Sequence, residues 1–239
     1  MTAMTVERHL AILRHEAGAL AEAARRGLDA KVPSCPDWDV RSLVDHVAHA
    51  YRWVTRIVST HADAEVTDDE VPPGTADDPI AAYEEALAEL VETIAGEDPD
   101  AFCWNWSEQD LRVAFWARRM ANETAVHRWD AQLAHGTPQP IDGEIAADGV
   151  AEMLEMILPR HLVRLPQEGL RGTFRVEATD IGTVWGGRLH PDHVERVSDP
   201  RKADATIKGT ASDLVLAFWG REVPIEATGD ERITGLLLE

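Results

Sequence analysis

Two side chains that can bind a metal ion or carry a proton lie four residues apart, in the stretch Glu123-Thr-Ala-Val-His127. On a helix, residues four apart share a face, so this carboxylate and this imidazole point the same way. Burying two such groups costs free energy unless each is paired or bound to a cation. The spacing therefore predicts either an internal Glu–His hydrogen bond or part of a metal site. A helical projection places the pair on the apolar face, with Val113, Trp116, Met120, Thr124, Ala131 and Ala134.

A predicted helix over about 40–58 supplies a candidate third ligand. His46 lies at the edge of its apolar arc, whereas His49 lies on the opposite, charged side. A lone inward-facing histidine is more often a core residue than a ligand. His46 is therefore a candidate ligand only if other ligating side chains lie beside it. Antiparallel neighbours in a short-looped bundle can bring it beside Glu123 and His127.

Two imidazoles and one carboxylate make a three-ligand set with an open coordination position, as in catalytic zinc sites. The same set also holds non-haem Fe(II), so the ligands alone do not select the metal. Asp130 lies about one turn beyond His127. It either orients a ligand imidazole or pairs with a surface cation such as Arg128.

The hydrophobic periodicity predicts a helical bundle followed by a smaller α+β domain, divided as 1–165 and 166–239. The expected helices of the first part cover about 5–28, 40–58, 78–96, 111–135 and 146–158, the last ended by Pro159. The expected elements of the second part are strands over 172–179, 182–189, 194–197 and 205–207, a helix over 213–219, and a final strand or helix over 229–239.

Charge and composition exclude several classes of function. The 239 residues carry a net charge of −20, which argues against nucleic-acid binding and against an anionic membrane surface. No apolar run reaches the roughly 18 residues of a membrane span, and the N-terminus lacks the pattern of a signal peptide. Two cysteines, Cys35 and Cys103, do not make a disulfide framework. We therefore expect a cytoplasmic protein.

Three motifs together resemble the mycothiol-dependent maleylpyruvate isomerase family, a branch of the DinB-like metal-dependent thiol transferases. The resemblance extends over nearly the whole chain, although Asp37 stands where many relatives have Gly before the Trp. The motifs are Pro33-Ser-Cys-Pro-Asp-Trp38, Val40-Arg-Ser-Leu-Val-Asp-His46 and Glu123-Thr-Ala-Val-His-Arg-Trp-Asp130.

The resemblance implies a DinB-like four-helix bundle followed by a sterol-carrier-protein-like α+β domain. It implies that His46, Glu123 and His127 bind a divalent metal, usually zinc, which receives the thiol of mycothiol or a similar small thiol. That thiol would attack an electrophilic small-molecule substrate, giving cis–trans isomerisation or S-transfer. Arg221 matches the family's C-terminal arginine that faces the substrate carboxylates; alternatively it is an exposed loop residue. Because the family takes its thiol from a cofactor, Cys35 is not expected to be the nucleophile.

Two other interpretations stay open from the sequence. The protein could be a non-catalytic binding protein that keeps the metal or a small-ligand pocket. Alternatively, Glu123 and His127 form a structural core pair and no metal binds. Metal content and its response to substitution of His46 distinguish the three.

Overall fold

The computed structural model describes residues 4–74, 77–164, 168–198 and 200–238. By their contacts the residues divide into two compact units, 1–139 and 140–239. The first is helical and the second carries a five-stranded sheet, which confirms the predicted fold class. The domain limits of 1–165 and 166–239 stay a prediction. The contact division falls earlier because the helix that begins at Gly143 packs on a helix of the second unit.

In the part of the N-terminal unit that the structure describes, four α-helices pack together. Helices α1 and α4 pack along one another, as do α2 and α3, and α2 also contacts α4. Side-chain oxygens of Thr5, Asp39 and Asp78 accept hydrogen bonds from backbone N–H groups at the starts of α1, α2 and α3. These caps explain why the predicted starts lie close to the observed ones. The helices are α1 Val6–Ala24, α2 Val40–Ser59, α3 Pro79–Gly96 and α4 Val113–Ala134, with a short 3-10 turn at Asp68–Glu70.

Helix α4 is the central element of this unit. Sixteen of its 22 residues are buried, including Arg119, His127, Arg128 and Asp130. The sequence predicted one buried apolar stripe, but α4 is enclosed on nearly every side. Its polar side chains must therefore find partners inside the protein, since a buried charge without one is strongly unfavourable.

The C-terminal unit is a five-stranded sheet with helices. The strand order is β3-β2-β1-β4-β5, and β1 pairs parallel with β4 while the other pairs are antiparallel. Alternate residues of β1, Phe174, Val176 and Ala178, face the core. Helix α5 packs on α7, and α7 and α8 both contact β4. The elements are α5 Gly143–Glu152, α6 Leu158–Arg164, β1 Gly172–Ala178, β2 Thr183–Leu189, β3 Val194–Arg196, β4 Ala205–Gly209, α7 Ala211–Phe218, β5 Glu226–Gly229 and α8 Glu231–Leu238.

The prediction that Pro159 ends the fifth helix is wrong. A π-helical turn, Met153–Ile157, follows α5, and α6 continues through Pro159 to Arg164. The N–H of Leu158 donates to the carbonyl of Met153, five residues back. This wider turn lets the chain accommodate a proline, which lacks an N–H and crowds the preceding turn of a regular helix.

Among the described residues, no helix combines the length and the apolar character that a bilayer crossing requires.

Candidate metal centre

Helices α2 and α4 bring the three predicted ligands together. Each of His46, Glu123 and His127 offers one donor atom, and these atoms lie within 4.8 Å of one another. The Nε2 atom of His46 is 3.6 Å from Oε1 of Glu123. The two imidazole rings meet edge to face, with centroids 5.2 Å apart and planes at 80°. Over the described ranges, no other group of three or more His, Cys, Asp or Glu residues reaches this arrangement.

The three side chains of the cluster differ in their exposure to solvent. The side chain of His46 is 40% exposed, that of Glu123 17% and that of His127 6%. The donors on α4 are therefore set into the protein, while the donor on α2 borders solvent. A small ion or ligand can reach the cluster from the His46 side.

His127 is oriented by the carboxylate of Asp130, which is fully buried. The two groups meet at 3.0 Å between Nδ1 and Oδ2. An ionised carboxylate only accepts hydrogen bonds, so next to ionised Asp130 the ring nitrogen Nδ1 is the donor, and Nε2 is the nitrogen that Asp130 does not hold. Of the two sequence alternatives for Asp130, the structure favours the orienting contact.

The loop before α2 is hydrogen-bonded to the carboxylate of Asp130. The hydroxyl of Ser34 donates to Oδ1 of Asp130 at 2.6 Å, so both carboxylate oxygens are engaged. Further along the loop, the Trp38 ring lies with its centroid 4.8 Å from that of His46 and 6.3 Å from that of His127. The backbone N–H of Trp38 donates to the carbonyl of Cys35, which holds the loop in a tight turn. Cys35 is not part of a disulfide and is not one of the clustered donors.

Glu123 is held in its ionised form. Burial raises the pKa of this carboxyl, but the hydrogen bond with His46, the positive charge of Arg119 and the electrostatic interactions with both imidazoles outweigh burial and lower it to about 2. The guanidinium of Arg119 donates to Oε2 at 3.3 Å from Nη2 and 3.4 Å from Nε. An ionised carboxylate next to two imidazoles is a donor set suited to a divalent cation.

Comparison with known families agrees with the motifs. A family model described as the mycothiol maleylpyruvate isomerase N-terminal domain matches residues 9–132, more than half of the chain. The chain belongs to this family. A second model, the C-terminal domain of the same proteins, matches residues 144–235. The membership supports an enzyme of the isomerase type, as the sequence resemblance predicted.

Two solved structures share the fold of this family member. A structure titled mycothiol-dependent maleylpyruvate isomerase has a TM-score of 0.62 at 15% identity, and a point mutant of that protein has 0.63 at 14%. Each comparison covers 96% of this chain and 97% of the other. At these identities the likeness establishes the fold. A comparison with curated proteins found no match.

Arg221, the family position expected to face substrate, belongs to the C-terminal unit. It follows α7, where its Nη1 donates to the carbonyl of Trp219 and its guanidinium carbon lies 5.9 Å from the Trp219 ring centroid. Its role toward substrate stays a prediction. The side chain of His49, which the sequence placed on the solvent side of its helix, is 43% exposed. Its Nε2 lies 3.3 Å from Oδ1 of Asp68.

Sequence reasoning missed two residues of the centre. Arg119 precedes Glu123 by four residues, a spacing that already places the two on one face of α4. Its contact with Glu123 was therefore detectable. Ser34 carries no such signal, because its partner Asp130 is 96 residues away.

Proposed function

We propose that this protein is a metal-dependent enzyme that activates mycothiol or a similar small thiol and uses it to isomerise an electrophilic substrate of the maleylpyruvate type. The observation that carries the proposal is the convergence of His46, Glu123 and His127 within 4.8 Å. Membership of the mycothiol maleylpyruvate isomerase family supports the thiol and the reaction class.

The residues present fit a divalent cation, zinc by first choice. His127 would bind through Nε2, because Asp130 holds Nδ1, and Glu123 would bind through a carboxylate oxygen that is ionised at neutral pH. His46 would complete the set. Two imidazoles and a carboxylate leave a position open for an external ligand. When bound there, the metal supplies the acidity that turns a thiol into a thiolate at neutral pH.

The chain's own residues would supply orientation and shelter. Asp130 and Ser34 fix the ring of His127, and Trp38 lies beside both imidazoles. Arg221 is proposed to bind a substrate carboxylate, for which a guanidinium is well suited. No side chain has to act as a base for the thiol in this scheme.

The family supports isomerisation, in which the thiol is recovered unchanged after turnover. S-transfer, in which the thiol stays on the product, is the alternative outcome of the same activation. The two differ in whether the thiol is consumed, so one assay distinguishes them.

The first test is metal content of protein purified without added metal, measured by elemental analysis. We expect close to one zinc per chain in the wild type and loss of that zinc in His46→Ala. His49→Ala is the matched control on the same helix, since His49 lies outside the cluster, and it should keep its zinc. Absence of zinc from the wild type, even after reconstitution, would leave a structural Glu–His core pair and overturn the proposal.

The zinc-loaded protein is then assayed with maleylpyruvate, with and without thiol. Thiol-dependent isomerisation that stops when zinc is removed supports the enzyme. Ligand binding that survives zinc removal, with no thiol-dependent turnover, would instead identify the non-catalytic binding protein.

A further inference from the structure

A buried arginine lies directly behind the candidate metal ligand Glu123. Arg119 is only 3% exposed, and its side chain donates to Oε2 of Glu123 through both Nη2 and Nε. The other carboxylate oxygen, Oε1, is the one that faces His46, at 3.6 Å. The two oxygens of one carboxylate thus have separate partners.

We propose that Arg119 is a positioning residue that holds Oε2 of Glu123 and so presents Oε1 alone as the ligand atom. This inference rests on the proposed metal site and adds to it the way in which the carboxylate binds. It requires nothing from substrate or thiol.

The way in which Arg119 holds Glu123 affects how many donor atoms a bound cation would have. A carboxylate can bind a cation through one oxygen or through both, and the second oxygen would occupy a further coordination position. Three single-atom donors leave the fourth position of a tetrahedral site open. By engaging Oε2, Arg119 keeps that position available for an external ligand.

Arg119 is buried more deeply than the carboxylate that it contacts. Its side chain is 4% exposed, whereas that of Glu123 is 17% exposed, so Arg119 lies on the inner side of the carboxylate. Both residues are on α4, four apart, and a helix fixes such a pair more firmly than a loop would. Residues that hold a metal ligand from behind commonly control affinity 10- to 100-fold.

Whether zinc affinity falls or rises when Arg119 is replaced distinguishes a positioning role from a purely electrostatic effect of its charge. A fixed positive charge near a cation repels it, so removing that charge without other effect would tighten zinc binding. Removing a positioning contact weakens binding, because the carboxylate is no longer held in the binding geometry.

The test is the zinc dissociation constant of full-length Arg119→Met, measured by competition with a chelator. We expect it to rise by about 10- to 100-fold. The cobalt-substituted protein gives a second readout, because the visible absorption of Co²⁺ weakens when the coordination number increases. We expect weaker absorption in Arg119→Met, as both carboxylate oxygens become free to bind.

Arg128→Met is the matched control. Arg128 is also buried on α4, and it bonds to Glu16, Gln132 and Gln139, none of which belongs to the cluster. It should lower stability while leaving zinc affinity and the cobalt spectrum as in the wild type.

Arg119→Lys covers the case in which Arg119→Met fails to fold, since lysine keeps the charge but has a single nitrogen in place of the planar guanidinium whose Nε and Nη2 both donate to Oε2. We expect an intermediate dissociation constant. Unchanged or tighter zinc binding in the folded variants, with a wild-type cobalt spectrum, overturns the positioning role while leaving the metal site intact. A wild type that binds no zinc overturns the site and the inference together.

Discussion

Two buried arginines of helix α4, Arg119 and Arg128, each pair with a carboxylate, and the two pairs differ in how deeply the carboxylate is buried. On the α1 side, Nε of Arg128 lies 2.6 Å from Oε2 of Glu16, and both side chains are 5% exposed or less. Arg128 also donates to Oε1 of Gln132 and to the carbonyl of Gln139. On the α2 side, Arg119 approaches Glu123 no closer than 3.3 Å, and the nearby His46 is 40% exposed.

The difference separates a pair that holds the fold together from a pair that belongs to a site. Short bonds and full burial around Arg128 satisfy the guanidinium inside the protein, as a structural ion pair requires. Around Glu123 the distances are longer and one neighbour borders solvent, so the carboxylate keeps capacity to bind another group. Both arginines lie on α4, but Glu16 belongs to α1, and only the pair of Arg119 with Glu123 borders solvent.

The largest expected effect is on stability, from Glu16→Gln. This substitution leaves the Arg128 guanidinium buried without its carboxylate, and breaking a buried pair typically costs about 3–5 kcal/mol in the free energy of unfolding. Urea denaturation of the wild type and the variant measures the change. Zinc content should not change, because Glu16 lies outside the cluster. A stability loss below about 1 kcal/mol would show that this pair is not the structural one.

A smaller effect is expected from Asp130→Ala, which removes the carboxylate that orients His127. Loss of such a partner typically weakens metal binding by 10- to 100-fold, and we expect a zinc dissociation constant raised within that range. Chelator competition measures it. Asp45→Ala, on the exposed face of α2, is the control and should bind zinc as the wild type does. Equal affinity in the two variants would remove Asp130 from the site.

The smallest expected effect is from Ser34→Ala, which deletes the hydroxyl bonded to Asp130. A single intramolecular hydrogen bond contributes about 0.5–1.5 kcal/mol, and we expect a loss of stability of that size together with slightly weaker zinc binding. Thermal and urea unfolding give the first value and chelator competition the second. Ser59→Ala removes a long, solvent-exposed hydrogen bond to the Arg56 carbonyl, so it should lower stability less than Ser34→Ala and leave zinc binding unchanged. Identical behaviour of the two variants would contradict the link between the loop and His127.

The sequence predicted the helices, and the shared face of Glu123 and His127, because both depend on local spacing. Glu123 and His127 share a face by helix periodicity, and capping residues such as Asp39 mark where helices begin. The pairing of α2 with α4 is not local. It came from the resemblance and from the general geometry of bundles.

What the sequence did not predict depends on contacts across long separations. The Ser34–Asp130 hydrogen bond spans 96 residues, and the burial of α4 on nearly every side follows from how the other helices surround it. The helix continues through Pro159 because a π-helical turn precedes it, and the residue pattern did not predict that turn. Local periodicity contains no information on any of these.

The near-complete enclosure of α4 has a consequence for the entropy of ligand binding. Glu123 and His127 project from a helix that cannot open without unfolding the unit, so their rotamers are already restricted before any ion arrives. Only His46, at the solvent edge, has substantial freedom to lose. Ordering one such side chain costs about 0.5–1.5 kcal/mol, so most of the entropic cost of assembling three donors is met when the chain folds.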